Sequence, residues 1–179
     1  MTRKNSIYIV VQVSLYLALL IISSFIAIPL PFSLATITLQ TIIINVIALT
    51  FKPKYSLLIV GLYILMGIVG LPVFGGGTAG IAKIFSPVGG YYIGFLISAF
   101  IMSLFIKNLS FKKGIYITIL IGMPIQHILA IFWMLFYNDF NIINSFLTIS
   151  LPFILGDIIK CIISSLLITQ LKKHELTTN

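Results

Sequence analysis

The chain has 179 residues, of which 60% are hydrophobic and only 8% are charged, and its mean hydropathy of +1.20 excludes an ordinary soluble domain. The formal net charge is +8, but the basic residues are scattered between apolar segments without interleaved aromatic residues, which excludes a nucleic-acid-binding surface. We therefore predict an integral membrane protein that contacts lipid and whose basic residues report its topology.

Six apolar segments follow one another along the chain, each close to the length of about 17 to 25 residues that a membrane-spanning helix needs. The predicted architecture is an all-α bundle of six transmembrane helices forming a single domain, residues 1–179. The first segment exceeds the signal-peptide core of about 7 to 15 residues, so we interpret it as a retained helix. The second and third are short, which leaves open a buried or tilted segment. The predicted helices cover residues 7–28, 35–51, 55–70, 88–106, 114–137 and 149–171.

The basic residues flank these segments asymmetrically. Lys83 alone falls on one side of the predicted bundle, and nine other Lys and Arg residues fall on the opposite side. By the positive-inside rule, the N and C termini are cytoplasmic and Lys83 lies outside. The nine residues are Arg3, Lys4, Lys52, Lys54, Lys107, Lys112, Lys113, Lys172 and Lys173.

The predicted outer connections are more elaborate than the cytoplasmic ones. Pro29 and Pro31 predict an extended segment after the first helix, since each proline fixes its own φ and disfavours a helical residue before it. The longest loop, residues 71–87 between the third and fourth helices, contains the glycines 75–77. Long loops in compact domains usually carry function, so we expect a ligand to enter from this face. Four apolar residues predict that the loop packs back onto the bundle: Phe74, Ile81, Ile84 and Phe85.

Asp157 and Lys160 are two charges inside the last apolar segment. A charge at membrane depth costs about 2.5 to 3.5 kcal/mol on insertion scales, so each needs a partner or a function. Their i, i+3 spacing places both side chains on one helix face, where they can neutralise each other. The pair therefore indicates either a polar ligand site or an ion pair that only fixes this helix to its neighbours.

His127 and Trp133 belong to the predicted fifth helix. A rise of about 1.5 Å per residue puts His127 at roughly the depth of Asp157 and Lys160, with Trp133 nearer the outer end. The three ionisable groups could then meet near the bilayer midplane, below an aromatic wall, as in many small-molecule sites. If they do not face one another, His127 is a packing residue that is hydrogen-bonded to a neighbouring backbone.

Four further positions are candidate ligand contacts. Thr38 and Gln40 fall near the outer end of the predicted second helix, where Gln40 suits either a ligand or a hydrogen bond to another helix. Gly89 and Gly90 begin the predicted fourth helix, so their N–H groups could bind a carboxylate or ureido oxygen, or their lack of side chains could allow close packing.

Catalytic and energy-transducing signatures are absent from the sequence. The chain has three acidic residues and no Walker A or H-E-x-x-H motif, so we predict a protein that is not an enzyme and that needs no metal or other cofactor. The residues leave three functional hypotheses open: a binding subunit for a small molecule, a proton-coupled carrier that uses Asp157 as its titrating group, and an accessory membrane protein without a ligand.

The ordered motifs resemble those of the BioY family, the biotin-binding S components of energy-coupling factor (ECF) transporters. The resemblance rests on four places in the chain and extends over most of its length. Val88 stands where the family usually has threonine, and His127 has no evident family counterpart. The matching motifs are PLPF at 29–32 followed by TLQT at 38–41, GLPVF at 70–74, PVGGY at 87–91, and GDIIK at 156–160.

The resemblance implies a multi-pass subunit of the bacterial plasma membrane that captures biotin outside the cell. It implies partners as well, a transmembrane T component and two ATPases that supply the energy for transport. Ser14 and Ala18 resemble the small-residue signature through which such subunits dock, although packing inside the bundle would suit the same spacing. Which end of biotin meets Lys160 stays open. The implied binding residues are Asp157, Lys160, Tyr91, Gly89, Gly90, Trp133, Phe74, Gln40 and Thr38.

Overall fold

The computed structural model describes residues 3–31, 33, 35–139 and 141–177, without the side chains of residues 3–6 and 172–177. Within these residues the chain forms seven helices and one two-stranded sheet. The predicted helical bundle is confirmed, but the prediction of six helices omitted the single-turn helix α4. In chain order the elements are α1 Arg3–Phe25, β1 Ala27–Pro29, β2 Thr36–Thr38, α2 Gln40–Thr50, α3 Pro53–Ile68, α4 Ile81–Ile84, α5 Gly90–Ser103, α6 Phe111–Tyr137 and α7, residues 142–177.

A β-hairpin between α1 and α2 corrects the prediction of an all-α fold. Strands β1 and β2 pair antiparallel, with Ala27 opposite Thr38 and Pro29 opposite Thr36. Helix α1 therefore ends at Phe25 rather than at residue 28, and α2 begins at Gln40 rather than at residue 35. The reason is local: Pro29 favours extended backbone, and the β-branched run 36–38 pairs well with it.

Two long helices contain a widened π-helical turn, and each turn is followed by a proline. In α6 the turn Thr118–Gly122 precedes Pro124, and in α7 the turn Phe146–Ser150 precedes Pro152. Proline has no N–H to donate to the carbonyl four residues earlier and clashes with it, so the hydrogen-bond ladder changes locally. At Pro152 that carbonyl belongs to Thr148, and it accepts a 2.7 Å hydrogen bond from the Ser33 hydroxyl instead.

The long loop before α4 is held against the bundle. Phe74 is fully buried and contacts the rings of Tyr63 and Tyr92, with centroid distances of 5.7 and 4.3 Å. Gly76 has a left-handed φ of +74°, and its N–H donates to the carbonyl of Ser24 at the end of α1. The predicted packing of this loop is thus confirmed for Phe74 and for the partly buried Ile84, whereas Ile81 and Phe85 are exposed.

Among the described residues, three helices are long and apolar enough to cross a bilayer: Ile7–Phe25, Phe111–Tyr137 and Ile142–Leu171. Helices α2, α3 and α5 are apolar but shorter, and the 11 residues of α2 rise only about 16 Å. The side of the long helices that faces away from the bundle carries many exposed large apolar side chains. Exposure of these side chains to water would be unfavourable, whereas lipid is a suitable environment for them. The buried core lies between α2, α3 and α5 and includes Ile44, Ile47, Leu49, Ile59, Val60, Tyr63, Ala99 and Met102.

Candidate functional site

A cavity lies between the hairpin, α2, the long loop with α4, α5 and α7. The space between the protein atoms there amounts to about 620 Å³, and this figure includes open solvent at the cavity entrance. Half of the lining residues are aromatic or carry a hydroxyl group, and charged groups lie at two places. The lining residues are Ala35, Thr36, Thr38, Gln40, Thr41, Gly75, Lys83, Val88, Tyr91, Tyr92, Phe95, Phe153, Asp157 and Lys160.

The ion pair predicted in the last helix is present and lines this cavity. Lys160 Nζ donates a 2.9 Å hydrogen bond to Asp157 Oδ1, and both residues are buried, with 8% and 7% of their surfaces exposed. A cavity beside the pair means that a ligand can reach both groups. The lysine supplies hydrogen-bond donors and the carboxylate supplies acceptors, so the pair suits a polar group that both donates and accepts.

His127 contacts the carboxylate of Asp157 without lining the cavity itself. Its Nε2 lies 3.2 Å from Asp157 Oδ2, within ion-pair distance although the N–H is not aligned for a hydrogen bond. Its Nδ1 lies 2.7 Å from Ser150 Oγ and 3.4 Å from the Tyr91 hydroxyl. The structure thus brings Asp157, Lys160 and His127 together, and contacts to side chains account for His127 without the backbone hydrogen bond considered from the sequence.

The Ser150, His127 and Asp157 side chains form a chain of contacts like that of a serine hydrolase. Ser150 is only 1% exposed, and neither it nor His127 lines the cavity. A nucleophilic hydroxyl must reach the substrate carbonyl, which this serine cannot do from its position. The arrangement is therefore suited to holding Asp157 in place rather than to hydrolysis.

Thr38 and Gln40 both line the cavity and are hydrogen-bonded to each other. Thr38 Oγ1 donates to Gln40 Oε1 at 3.2 Å, and Gln40 Nε2 donates to the Tyr63 hydroxyl of α3. Gln40 therefore makes the hydrogen bond to another helix that the sequence allowed, and it also faces the cavity, where its contact with a ligand stays a prediction. Tyr91 lines the cavity from α5, and Tyr92 next to it does so as well.

Four predicted site residues lie outside the cavity lining: Phe74, Gly89, Gly90 and Trp133. Phe74 packs beneath the loop and contacts Tyr92, which does line the cavity. Trp133 Nε1 donates to the carbonyl of Ser86 at 3.0 Å and so fastens the segment after α4 to α6. Phe74 and Trp133 therefore contact residues or segments next to the cavity without lining it themselves.

The two glycines at the start of α5 allow close packing, which was one of the two readings of the sequence. A Cβ atom on Gly89 would lie 1.7 Å from the carbonyl oxygen of Ile84. One on Gly90 would lie 2.5 Å from the carbonyl oxygen of Leu129 and 2.5 Å from Trp133 Cβ. Helix α5 can therefore approach α6 only because these positions carry no side chain.

Gly90→Ala is expected to destabilise the protein by about 1 to 3 kcal/mol, because overpacking against backbone cannot relax by a rotamer change. Gly156→Ala is the matched control, since nothing lies within 4 Å of a Cβ at Gly156 in α7. The measurement is the thermal unfolding midpoint of each purified variant in detergent. Equal midpoints for the two variants would contradict the packing role of Gly90.

Thr41 is a cavity residue that the list of candidate contacts omitted. It is 8% exposed, and its hydroxyl oxygen has no hydrogen-bond partner among the described residues. A buried hydroxyl without a partner is destabilising, so a partner supplied by a ligand would stabilise it. The available signal was its place in TLQT directly after Gln40, but the sequence could not show that its hydroxyl lacks a partner.

Thr41→Val keeps the shape of the side chain and removes the hydroxyl. We expect ligand affinity to fall about 3- to 12-fold, because one neutral hydrogen bond contributes about 0.7 to 1.5 kcal/mol. Thermal stability without ligand should not decrease. Thr169→Val is the control, because the Thr169 hydroxyl bonds to the carbonyl of Ser165 in its own helix and does not line the cavity. Unchanged affinity in the Thr41 variant, measured by calorimetric titration, would show that the hydroxyl does not contact the ligand.

Ser14 and Ala18 lie on the exposed side of α1, whereas Val13 and Leu20 on the other side are buried. These two small residues therefore face outward and do not pack within the bundle. Small side chains four residues apart on an exposed helix face allow another membrane helix to approach closely.

Comparison with known proteins gives one consistent result. The model of the BioY family matches residues 1–176. The biotin transporter BioY of Thermotoga maritima is 30% identical over 169 residues, which cover 93% of this chain and 96% of that protein. The biotin transporter BioY2 of Lactococcus lactis is 28% identical over 162 residues, covering 90% and 88%. The crystal structure of the S-component for biotin from an ECF-type ABC transporter superposes with a TM-score of 0.90 at 29% identity, over 97% of this chain and 95% of that one.

Proposed function

The chain belongs to the BioY family, and we propose on that basis that it is the biotin-binding subunit of an ECF transporter. It is a multi-pass membrane protein, and its task is to bind biotin at the outer face for transport into the cell. The observation that carries the proposal is the buried Asp157–Lys160 pair on the wall of a cavity. An ion pair within one helix that only fixed this helix to its neighbours would not need open space beside it.

Biotin offers groups that match the cavity. Its ureido group has two N–H donors and one carbonyl acceptor, which complement a carboxylate and an ammonium side by side. The thioether-containing ring fused to the ureido ring is apolar, and Tyr91, Phe95 and Phe153 provide aromatic surface in the same cavity. Gln40 and Thr41 of α2 add polar groups to the lining of the same cavity.

The proposal includes the arrangement of the whole transporter. All residues of the chain form one substrate-binding domain in the bacterial plasma membrane, with six membrane helices, both termini in the cytoplasm and the loop 71–87 outside. The exposed small residues Ser14 and Ala18 of α1 would contact the transmembrane T component, and two ATPases would supply the energy. The scarcity of catalytic side chains in the chain supports this division of labour.

The direct test is whether the purified protein binds biotin. We expect native mass spectrometry to show an adduct with the mass of biotin, and we expect added biotin to raise the thermal unfolding midpoint. Dethiobiotin serves as a related ligand for comparison, and thiamine, an unrelated vitamin, serves as the negative control. Absence of an adduct together with no stabilisation by biotin would overturn the proposal and favour an accessory protein without a ligand.

Reconstitution separates this proposal from a self-sufficient carrier. A binding subunit alone in liposomes should retain bound biotin without accumulating it when a pH gradient is imposed, because Asp157 is neutralised by Lys160 and flanked by His127. Uptake that follows the imposed gradient, and that Asp157→Asn abolishes, would contradict the need for partner ATPases and favour the proton-coupled carrier.

A further inference from the structure

His127 bridges two residues of α7, Ser150 and Asp157, that lie about two helical turns apart. Its Nδ1 lies 2.7 Å from Ser150 Oγ, and its Nε2 lies 3.2 Å from Asp157 Oδ2. Between these contacts α7 passes the end of its π-helical turn and Pro152, where the helical hydrogen-bond ladder is altered. The imidazole ring of α6 therefore connects the two sides of an irregular segment that the ladder alone fixes less firmly.

The Ser150 hydroxyl is bonded differently from other buried serines of the long helices. A helical serine can donate to a carbonyl three or four residues earlier, and Ser164 and Ser165 both donate in this way to the carbonyl of Cys161. Ser150 makes no such bond among the described residues, and its side-chain partner there is His127 Nδ1. The hydroxyl is thus committed to the imidazole rather than to its own helix.

The neighbouring donors determine which ring nitrogen of His127 carries the hydrogen. The Tyr91 hydroxyl lies 3.4 Å from Nδ1 but donates to the carbonyl of Ile149, so its hydrogen is not directed at the ring. The Ser150 hydroxyl is left as the donor to Nδ1, which places the ring hydrogen on Nε2. The opposite tautomer would turn the lone pair of Nε2 toward the carboxylate oxygen 3.2 Å away, which is unfavourable for two acceptors.

The Asp157 carboxylate is then contacted at both of its oxygens. Lys160 Nζ donates to Oδ1 at 2.9 Å, and the Nε2–H group of His127 faces Oδ2. The terminal torsion of an aspartate is broad, so one contact leaves the carboxylate plane free to turn, whereas two contacts fix it. The Nε2–H group is not aligned for a full hydrogen bond, and each oxygen has two lone pairs, so both oxygens can still accept a hydrogen bond from a ligand.

We propose that Ser150 and His127 are positioning residues for ligand binding. Ser150 donates to Nδ1 and so favours the Nε2–H tautomer, and His127 in turn fixes the plane of the Asp157 carboxylate on the cavity wall. The inference rests on the proposed function. A carboxylate that is already fixed loses less conformational freedom when the ligand binds, so the two residues increase affinity without touching the ligand.

The tautomer is measured by ¹⁵N NMR of histidine-labelled protein without ligand, in a His174→Gln background that leaves His127 as the only histidine. We expect the hydrogen on Nε2 and a hydrogen-bonded Nδ1. Ser150→Ala should shift the Nδ1 signal, and Ser164→Ala should not, because that hydroxyl bonds to its own helix. A hydrogen on Nδ1, or the same Nδ1 signal after Ser150→Ala, would overturn the role of Ser150.

Calorimetric titration of biotin compares His127→Gln, which keeps an N–H donor at the end of the side chain, with His127→Phe, which keeps a ring without one. We expect His127→Phe to weaken biotin about tenfold and His127→Gln to stay within about threefold of the wild type, since only the first loses the N–H contact to the carboxylate. Gln126→Leu is the matched control. Gln126 is buried on the same helix, bonds to Ser98 and does not line the cavity, so its loss should leave affinity unchanged.

Equal losses in the two His127 variants would show that the side chain only fills space, and no loss in either would show that the carboxylate needs no second contact. Both results would overturn the inference while the wild type still binds biotin. If His127→Phe does not fold, Ser150→Ala decides, with an expected loss of about threefold and unchanged affinity as the contrary result. A wild type that binds no biotin would refute the proposed function, whereas the NMR signals, recorded without ligand, still decide the contact between Ser150 and His127.

Discussion

Lys160→Ala is expected to reduce biotin affinity at least about a hundredfold and to destabilise the protein by about 3 to 5 kcal/mol. The reason is that Asp157, only 7% exposed, would lose the ammonium group 2.9 Å away and remain as a buried charge. His127 is close but is not aligned to replace that hydrogen bond. Calorimetric titration measures the first effect and thermal unfolding in detergent measures the second.

The double variant Asp157→Asn/Lys160→Gln separates binding from folding. It removes both charges and leaves two neutral amides that can bond to each other, so we expect its stability to recover most of what Lys160→Ala loses. Biotin binding should stay lost. Lys54→Ala is the control for removing an exposed lysine. A single variant with normal affinity, or a double variant that binds biotin normally, would show that the pair is only structural.

Phe74→Ala is expected to cost about 3 to 5 kcal/mol of stability, the range for emptying a fully buried aromatic site. Phe74 contacts Tyr63 and Tyr92, and its ring fills the space above Gly67, where a Cβ would come within 2.1 Å of it. Without it the long loop loses its apolar anchor, and Tyr92 loses a neighbour that fixes it in the cavity wall. Biotin affinity should therefore fall together with stability.

The matched control is Phe85→Ala in the same loop. Phe85 is 61% exposed, so this substitution removes a ring of the same size from the surface. Thermal unfolding midpoints and biotin titrations of the two variants together show whether the buried Phe74 ring stabilises the loop and the cavity wall. If Phe74→Ala unfolded at the same temperature as Phe85→Ala, the loop would not depend on its buried phenylalanine for attachment to the bundle.

The sequence was sufficient for the features that depend on hydropathy and helical spacing. A run of apolar residues with two charges one turn apart predicts a buried ion pair, and Asp157 and Lys160 form it. Helical rise alone placed His127 at the depth of Asp157, and the two side chains are in contact. These inferences hold because a helix fixes distances along its axis from the residue count alone.

Features that depend on tertiary approach were beyond the sequence. The hairpin requires residues 27–29 to meet residues 36–38, and the apolar composition of these stretches reads equally well as helix. Trp133 has the depth of a cavity residue but turns its indole N–H to Ser86. Thr41 could be noticed as polar, but its lack of a partner appears only when every neighbouring group is in place. Rotation about a helix axis and the pairing of distant segments are what the periodicity leaves undetermined.

The most direct measurement is a calorimetric titration of biotin into the purified wild type, run beside Asp157→Asn/Lys160→Gln. A saturable, stoichiometric isotherm for the wild type and none for the folded double variant is the expected result. Indistinguishable isotherms would contradict a role of the two charges in binding, and a wild type that releases no heat of binding and gains no thermal stability with biotin would contradict biotin capture itself.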